Sequence, residues 1–185
     1  MVEIHDNFLD DYYIDYLLEG VDSPDIAWKY HHNVSIPTPG HYDEGWKFGF
    51  SHVIFDANAG INFQDTERGN VWLPAIIKME TQFNLMKGSL MRSRLDMTVR
   101  APKNVLHTPH TDQNFPHYTF ILYMNDSDGE TIIYNETNRD GPLTIKETIE
   151  PKKNRLIFFD GDLVHTGHSP CKTRNRILLN TNFFK

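Results

Sequence analysis

The sequence predicts an α+β fold that is mainly β, a double-stranded β-helix (jelly roll) with N-terminal supporting helices. Two helical patterns precede residue 89, and the segments after it are rich in β-branched and aromatic residues. Asp-Gly pairs at 128–129, 140–141 and 160–161 mark turns between these segments. At 185 residues with 39% hydrophobic residues, the chain can fill one core. We therefore expect a single domain over 1–185, with helical support and substrate loops over about 1–89 and the jelly-roll core over about 90–185.

The first part of the chain predicts a helix followed by irregular structure. Asp10 is the expected N-cap and Gly20 the expected end of this helix. Its apolar face comprises Tyr13, Ile14, Leu17 and Leu18. Between Ser23 and Gly69 the sequence alternates aromatic segments such as W-K-F-G-F with turn formers, which indicates short strands and mobile loops. These turn formers include Pro37, Pro39, Gly40, Gly45, Gly49 and Gly60.

A second helix is predicted from about Trp72 to Met86, before Gly88. Its apolar stripe comprises Leu73, Ile76, Ile77, Phe83 and Met86. From Leu90 onward the pattern indicates strands. The strand-like segments are M-R-S-R-L-D-M-T-V-R, Y-T-F-I-L-Y-M-N, E-T-I-I-Y-N, N-R-L-I-F-F and R-N-R-I-L-L-N-T-N-F-F.

Charge and composition narrow the range of partners. The net charge is -7 and the two signs are interspersed, so we expect no nucleic-acid partner. No apolar run approaches the length of a membrane span, so we expect no membrane partner. The single cysteine, Cys171, and an N-terminus unlike a signal peptide predict a reducing, cytoplasmic location. Nothing in the sequence indicates an oligomeric state.

His110, Asp112 and His165 form a candidate metal site. In an extended segment, His110 and Asp112 project to one side while Thr111 points away. His165 is distant in sequence, and sheet pairing would bring it alongside the other two. Two imidazoles and one carboxylate leave three coordination positions of an iron(II) ion open for a chelating co-substrate and dioxygen. A closed, four-ligand structural site would leave none.

Other interpretations of these residues stay open. An aspartate such as Asp112 also caps backbone amides in turns that bind no metal. Three further histidines are near enough in sequence to replace a ligand: His107, His117 and His168. Pro109 disfavours a helical histidine pair at this point. His168 precedes Ser169 and Pro170, which indicate a loop, so we favour His165 as the distant ligand.

The second half of the chain also resembles a known family. It contains, in order, H-x-D, T-F-I-L-Y-M-N, D-G-E-T, P-K-K-N-R-L-I-F-F, a histidine and a downstream arginine. This ordered set, from about Arg94 to Phe184, resembles the prolyl-4-hydroxylase-like branch of the iron(II) and 2-oxoglutarate-dependent oxygenases. The opening E-I-H-D-N-F-L-D is similar to the first strand and helix of that branch.

The resemblance implies that His110, Asp112 and His165 ligate Fe(II). It further implies that an arginine on a late strand binds the distal carboxylate of 2-oxoglutarate, through two parallel hydrogen bonds that a lysine could not imitate. We favour Arg176 for this role over Arg174, although both share a strand face.

Tyr123 matches a tyrosine of the family whose hydroxyl contacts the same carboxylate, and an ordinary core tyrosine is the alternative. Thr119 and Ile121 are expected on the same inward face as Tyr123. Trp46 and Phe48 are candidates for a substrate lid, with core packing as their alternative.

The implied function is that of a dioxygenase that uses Fe(II), 2-oxoglutarate and O2 to hydroxylate a substrate, with release of succinate and CO2. A carboxylate at Asp112 fills the coordination site that related halogenases leave for chloride, which favours hydroxylation. The substrate would be a prolyl or other side chain of a peptide or protein, or a small molecule.

Two other classes of protein remain open. The first is a cupin-like metal-binding jelly roll that acts without 2-oxoglutarate, although such proteins usually show H-x-H where this chain has H-x-D. The second is a non-catalytic interaction module with the same fold, against which the intact triad counts.

Overall fold

The computed structural model describes residues 1–35 and 45–185. The helices of these ranges are α1 (Asp11–Val21) and α2 (Leu73–Gln82), with short 3-10 helices at Phe63–Asp65 and Gly69–Trp72. The strands are β1 (Val2–His5), β2 (Lys29–His31), β3 (Gly49–Asp56), β4 (Leu90–Val99), β5 (Val105–Leu106), β6 (His117–Tyr123), β7 (Thr131–Tyr134), β8 (Ile145–Ile149), β9 (Leu156–Asp160), β10 (His165–Ser169) and β11 (Asn175–Phe184). Within residues 1–35 and 45–185, no helix has the length and hydrophobicity that a membrane span requires.

The strands form two antiparallel sheets. The major sheet has the order β1-β9-β6-β11-β4-β3-β2, and the minor sheet has the order β5-β10-β7-β8. Apolar side chains from both sheets pack together between them: Ile121, Tyr123, Ile133, Ile149, Ile157, Phe159 and Leu178. Two facing antiparallel sheets with few helices confirm the predicted jelly roll.

The two helices cover the other face of the major sheet. Ile14 and Leu17 of α1 and Met79 of α2 are buried in one cluster with Phe120 and Leu179 of the sheet. Successive side chains of β6 therefore face the helices and the minor sheet in alternation: Phe120 and Leu122 lie in the helix-side cluster, and Ile121 and Tyr123 lie between the sheets. The metal-site residues lie on that second side.

The first helix begins as predicted and ends later than predicted. The Asp10 carboxylate accepts a hydrogen bond from the Tyr12 amide, so Asp10 is its N-cap. The prediction that Gly20 ends the helix is wrong. Gly20 lies inside the helix, which ends one residue later at Val21, and a Cβ at Gly20 would come within 3.1 Å of the Arg68 guanidinium. This glycine provides space for Arg68 rather than a helix stop.

The second helix is shorter than predicted, ending at Gln82 rather than near Met86. Asn84 adopts φ 49°, a left-handed conformation that an α-helix does not continue through. The predicted stripe is also partly wrong, since Leu73, Ile77 and Met86 are exposed. The buried positions of α2 are Ala75, Ile76 and Met79.

The strand predictions after Leu90 are confirmed by β4, β6, β7, β9 and β11. The expected loop at His168 is wrong, because His168 belongs to β10 and pairs with Leu106 of β5. The region between Ser23 and Gly69 contains the short strands β2 and β3, as predicted. The turn formers Pro37, Pro39 and Gly40 lie outside the described residues.

Candidate metal and co-substrate site

His110 and His165 are brought together by a backbone bridge. Each amide donates to the carbonyl of the other, both at 2.9 Å. Directly opposed residues of an antiparallel pair project to the same side, so the two imidazoles meet, with ring centroids 4.7 Å apart. The strand pairing expected from the sequence is thus present.

Asp112 completes the cluster. Its Oδ2 lies 3.9 Å from Nε2 of His165, and one ligand atom from each of the three residues lies within 4.8 Å of the others. Across residues 1–35 and 45–185, this is the group of three histidine, cysteine or acidic side chains that could hold a metal ion. The rival histidines His107, His117 and His168 are not part of it.

The orientation of both imidazoles suits metal binding. Nδ1 of His110 lies 3.0 Å from the Thr108 carbonyl, and Nδ1 of His165 lies 3.2 Å from the Leu163 carbonyl. A carbonyl only accepts, so Nδ1 of each ring carries the proton and Nε2 presents its lone pair. Such contacts fix the tautomer that a metal requires.

Four side chains hold the Asp112 carboxylate, which is 4% exposed. Asn182 and Asn180 donate to Oδ2 at 3.0 and 3.2 Å, and Thr119 donates to it at 3.5 Å. Arg92 donates to Oδ1 at 3.3 Å. Oδ1 therefore keeps a free lone pair, because each carboxylate oxygen offers about two acceptor sites.

Three of these four donors, all except Asn180, come from one transverse row of the major sheet. Asn182 of β11 pairs with Arg92 of β4 on one side and with Thr119 of β6 on the other. They are also joined to each other, since Arg92 donates to Asn182 at 2.9 Å and Asn182 donates to Thr119 at 3.2 Å. The row fixes the carboxylate through three adjacent strands.

The protonation states also fit a divalent cation. Burial raises the pKa of the Asp112 carboxyl, but His165, Arg92, His110 and the Asn182 hydrogen bond together lower it, so its pKa lies well below the usual range. Burial lowers the pKa of His165 to about 4. At neutral pH the cluster thus offers an ionised carboxylate and neutral imidazole, which are the forms that bind metal. The donor set therefore fits Fe(II).

Arg176 lies four residues before Asn180 on β11 and lines the same cavity as the triad. It is buried, and no carboxylate pairs with it anywhere in the described part of the chain. Its Nε has no hydrogen-bond partner there either. Because a buried, unpaired guanidinium is costly, this arrangement favours an anionic ligand. Arg174, by contrast, is exposed and precedes the strand.

Tyr123 reaches Arg176 through Thr131. The Tyr123 hydroxyl and an Arg176 amino group each donate to Thr131 Oγ1 at 2.6 Å. Burial raises the pKa of Tyr123, so the phenol keeps the proton that it donates. Thr131 lines the cavity, whereas Tyr123 is fully buried behind it. Ile121, expected on the same face, lines the cavity as well.

The three rival histidines have other partners. His107 lines the cavity, and its Nε2 lies 2.9 Å from the Ser169 hydroxyl. Nδ1 of His117 lies 2.8 Å from the Phe115 carbonyl. Nδ1 of His168 lies 3.9 Å from the Glu130 carboxylate.

Of the two proposed lid residues, Trp46 is exposed and Phe48 is half-buried. Trp46 is 42% exposed, so core packing is wrong for its ring. It is 5.9 Å from Phe48, which in turn lies 5.9 Å from Tyr30, measured between ring centroids. A lid function for Trp46 and Phe48 stays a prediction.

Sequence reasoning did not identify the residues around Asp112. The sequence pattern assigns Arg92, Asn180 and Asn182 to strands and gives them no role at the metal site. One signal is present, since Asn180 and Asn182 are two residues apart in a strand-like segment and so place two amides on one buried face. The role of Thr131 had no comparable signal.

The comparisons with known proteins agree with this geometry. Residues 98–184 match the model of the 2OG-Fe(II) oxygenase superfamily. This part of the chain belongs to that superfamily. The matched residues include all three members of the triad, together with Tyr123, Thr131 and Arg176. No curated protein sequence matches the chain.

Solved structures share the fold at low sequence identity. A Pseudomonas putida prolyl-4-hydroxylase has 15% identity and a TM-score of 0.61, over 100% of this chain and 92% of that one. A Trichoplax adhaerens prolyl hydroxylase, in complex with a hypoxia inducible factor peptide fragment, has 13% identity and a TM-score of 0.62 over 98% and 83%. HygX from Streptomyces hygroscopicus, with nickel and 2-oxoglutarate bound, has 9% identity and a TM-score of 0.63 over 99% and 82%.

This 2OG-Fe(II) oxygenase is accordingly an enzyme, with Fe(II) and 2-oxoglutarate as its cofactors, as predicted. Its His-Asp-His cluster has the composition that the superfamily's metal requires. Related oxygenases act on peptides or on small molecules.

Proposed function

We propose that this protein hydroxylates a carbon centre of its substrate, with His110, Asp112 and His165 as the iron ligands. The observation that carries this proposal is the cluster of two imidazoles and one carboxylate that lines the same cavity as Arg176. The chemistry supplied there is insertion of one oxygen atom of O2 into a C–H bond, while the other oxygen enters succinate as 2-oxoglutarate loses CO2. A carboxylate as the third ligand leaves no position for a halide, which supports hydroxylation.

The residues of the chain position the reactants. The row of Arg92, Asn182 and Thr119 holds Asp112 so that Oδ1 remains available. The backbone carbonyls behind the two imidazoles accept from Nδ1, which selects the neutral tautomer whose Nε2 carries the lone pair.

Arg176, which lines the same cavity, would bind the distal carboxylate of 2-oxoglutarate. Thr131 would add a hydroxyl donor to the same carboxylate. A hydroxyl has one proton and two acceptor sites, and Tyr123 and Arg176 already fill both acceptor sites of Thr131. Its proton is therefore left to donate to the ligand. In this arrangement Tyr123 supports co-substrate binding through Thr131 rather than by direct contact.

The proposal is tested by measuring succinate. Purified protein is incubated with Fe(II), ascorbate, 2-oxoglutarate and O2, and succinate is quantified by NMR. We expect slow formation without substrate, dependent on both iron and O2, and none in Asp112→Ala. Glu19→Ala, which changes an exposed carboxylate of α1, is the control and should match wild type. Equal succinate formation in Asp112→Ala would contradict the ligand assignment.

A further inference from the structure

A second arginine of the cavity, Arg94, has no role in the site described above. Arg94 and Asp96 lie on β4 and both line the cavity. Arg94 is directly opposite Asn180 in the β4–β11 register, and Asn180 donates to Asp112. The side chain of Arg94 therefore lies on the face that holds the metal cluster.

The hydrogen bonds of Arg94 leave most of its guanidinium available. Its Nε lies 3.0 Å from Oδ2 and 2.8 Å from Oδ1 of Asp96. The two terminal amino groups have no hydrogen-bond or ion-pair partner within residues 1–35 and 45–185. Asp96 thus orients the guanidinium through one edge and leaves four N–H donors free.

Binding of 2-oxoglutarate does not require Arg94. The distal carboxylate of 2-oxoglutarate is assigned to Arg176, and Arg92 is occupied by Asp112 and Asn182. Both side chains of the Arg94–Asp96 pair are 25% exposed, so the pair is open to a ligand that enters the cavity. Beside the metal cluster, that ligand would be the substrate to be oxidised.

We propose that Arg94 and Asp96 bind the substrate, and that this substrate is a free α-amino acid. The terminal amino groups of Arg94 match a carboxylate, which a guanidinium binds through two parallel hydrogen bonds. The remaining acceptor sites of the Asp96 carboxylate match the ammonium group. An α-amino acid carries these two charged groups on one carbon atom, and the cavity wall presents their complements side by side. The inference rests on the proposed function and names its substrate class.

Binding of free amino acids tests this assignment. The probes are the twenty proteinogenic L-amino acids and their primary amides, which keep the ammonium group and lack the carboxylate. Affinity is measured by anaerobic calorimetry on protein loaded with Fe(II) and 2-oxoglutarate, and succinate formation is measured in parallel. The variants are Arg94→Gln and, as the control, Arg174→Gln, which changes an exposed arginine outside the cavity.

We expect at least one amino acid to bind and to accelerate succinate formation, with its amide binding about tenfold or more weakly. Arg94→Gln should remove the preference for acid over amide and leave the affinity for 2-oxoglutarate unchanged. Arg174→Gln should behave as wild type. Because 2-oxoglutarate binding also reports on folding, loss of amino-acid binding alone cannot come from an unfolded variant.

Three results would overturn the inference while leaving the proposed function intact. One is that wild type binds 2-oxoglutarate but none of the amino acids. Another is that Arg94→Gln keeps the preference for the acid. The third is that Arg94→Gln weakens 2-oxoglutarate binding, which would assign Arg94 to the co-substrate. If wild type fails to bind 2-oxoglutarate at all, both proposals fail.

Discussion

Replacement of Thr131 by valine isolates one hydrogen bond to the co-substrate. Valine has nearly the same shape as threonine and lacks only the hydroxyl. Thr131 Oγ1 accepts from Tyr123 and from Arg176, so its own proton is the donor that faces the cavity. We expect Thr131→Val to weaken binding of 2-oxoglutarate and to leave iron affinity unchanged.

The size of the effect follows from the charge of the acceptor. A hydrogen bond to a charged group contributes about 1.5–3 kcal/mol, which corresponds to a factor of roughly 10 to 150 in Kd. Valine also leaves the Tyr123 hydroxyl and one Arg176 amino group without their acceptor. The loss of this acceptor lowers the stability of the protein whichever ligand is bound. Its effect can therefore be separated from the effect of the lost hydrogen bond to the carboxylate.

Comparison of two ligands, with and without the distal carboxylate, separates the two effects. 2-Oxopentanoate has the keto acid and chain length of 2-oxoglutarate but lacks the distal carboxylate. We expect Thr131→Val to lower the affinity for 2-oxoglutarate and to leave the affinity for 2-oxopentanoate unchanged. Both affinities are measured by anaerobic titration of the Fe(II) protein. Thr131→Ser, which keeps a hydroxyl, should restore most of the affinity. An equal loss for both ligands, or a larger loss in Tyr123→Phe than in Thr131→Val, would refute the reasoning.

Three further predictions concern the carboxylate contact, the metal and the packing. Arg176→Ala should weaken 2-oxoglutarate binding far more than iron binding, and Arg174→Ala should not; the reverse result in the same titration would move the contact to Arg174. Asn182→Leu should weaken Fe(II) binding about 10–100-fold by equilibrium dialysis, because its amide holds the metal carboxylate at 3.0 Å, and unchanged affinity would contradict that role. Gly161→Ala should lower the free energy of unfolding by about 1–3 kcal/mol in urea denaturation, since a Cβ there would lie 2.3 Å from a buried imidazole. Gly141→Ala, where a Cβ meets nothing within 4 Å, is its control, and equal stabilities would contradict the packing argument.

The grouping of the metal triad could be predicted because its signals are local in the sequence. The spacing of His110 and Asp112 places both on one side of an extended segment, and strand pairing supplied the partner for His165. The structure brings all three together. Their role as ligands stays a prediction, as do the single-domain organisation and the cytoplasmic location.

The surroundings of the triad could not be predicted because they depend on strand register. Arg92, Thr119 and Asn182 meet at Asp112 only when three strands align in one register. Sequence patterns give the face of each residue but not its partner across the sheet. Thr131 is likewise a central contact that sequence reasoning did not single out.

The helix ends were mispredicted for a related reason. Glycine often ends a helix, yet Gly20 lies in the last turn of α1, where its missing Cβ leaves room for Arg68, which is distant in sequence. Met86 continued an apolar pattern that the left-handed Asn84 interrupts. In both cases tertiary contacts or backbone conformation outweighed the local pattern.

The central claim is most directly tested by anaerobic titration of the Fe(II) protein with 2-oxoglutarate. The measured quantity is the weak visible charge-transfer band of an iron-bound keto acid, recorded on wild type and on His165→Ala. We predict a saturable band in wild type and none in the variant. Bound iron without a band in wild type would contradict the co-substrate site, and a cupin-like metal protein would then be the better account.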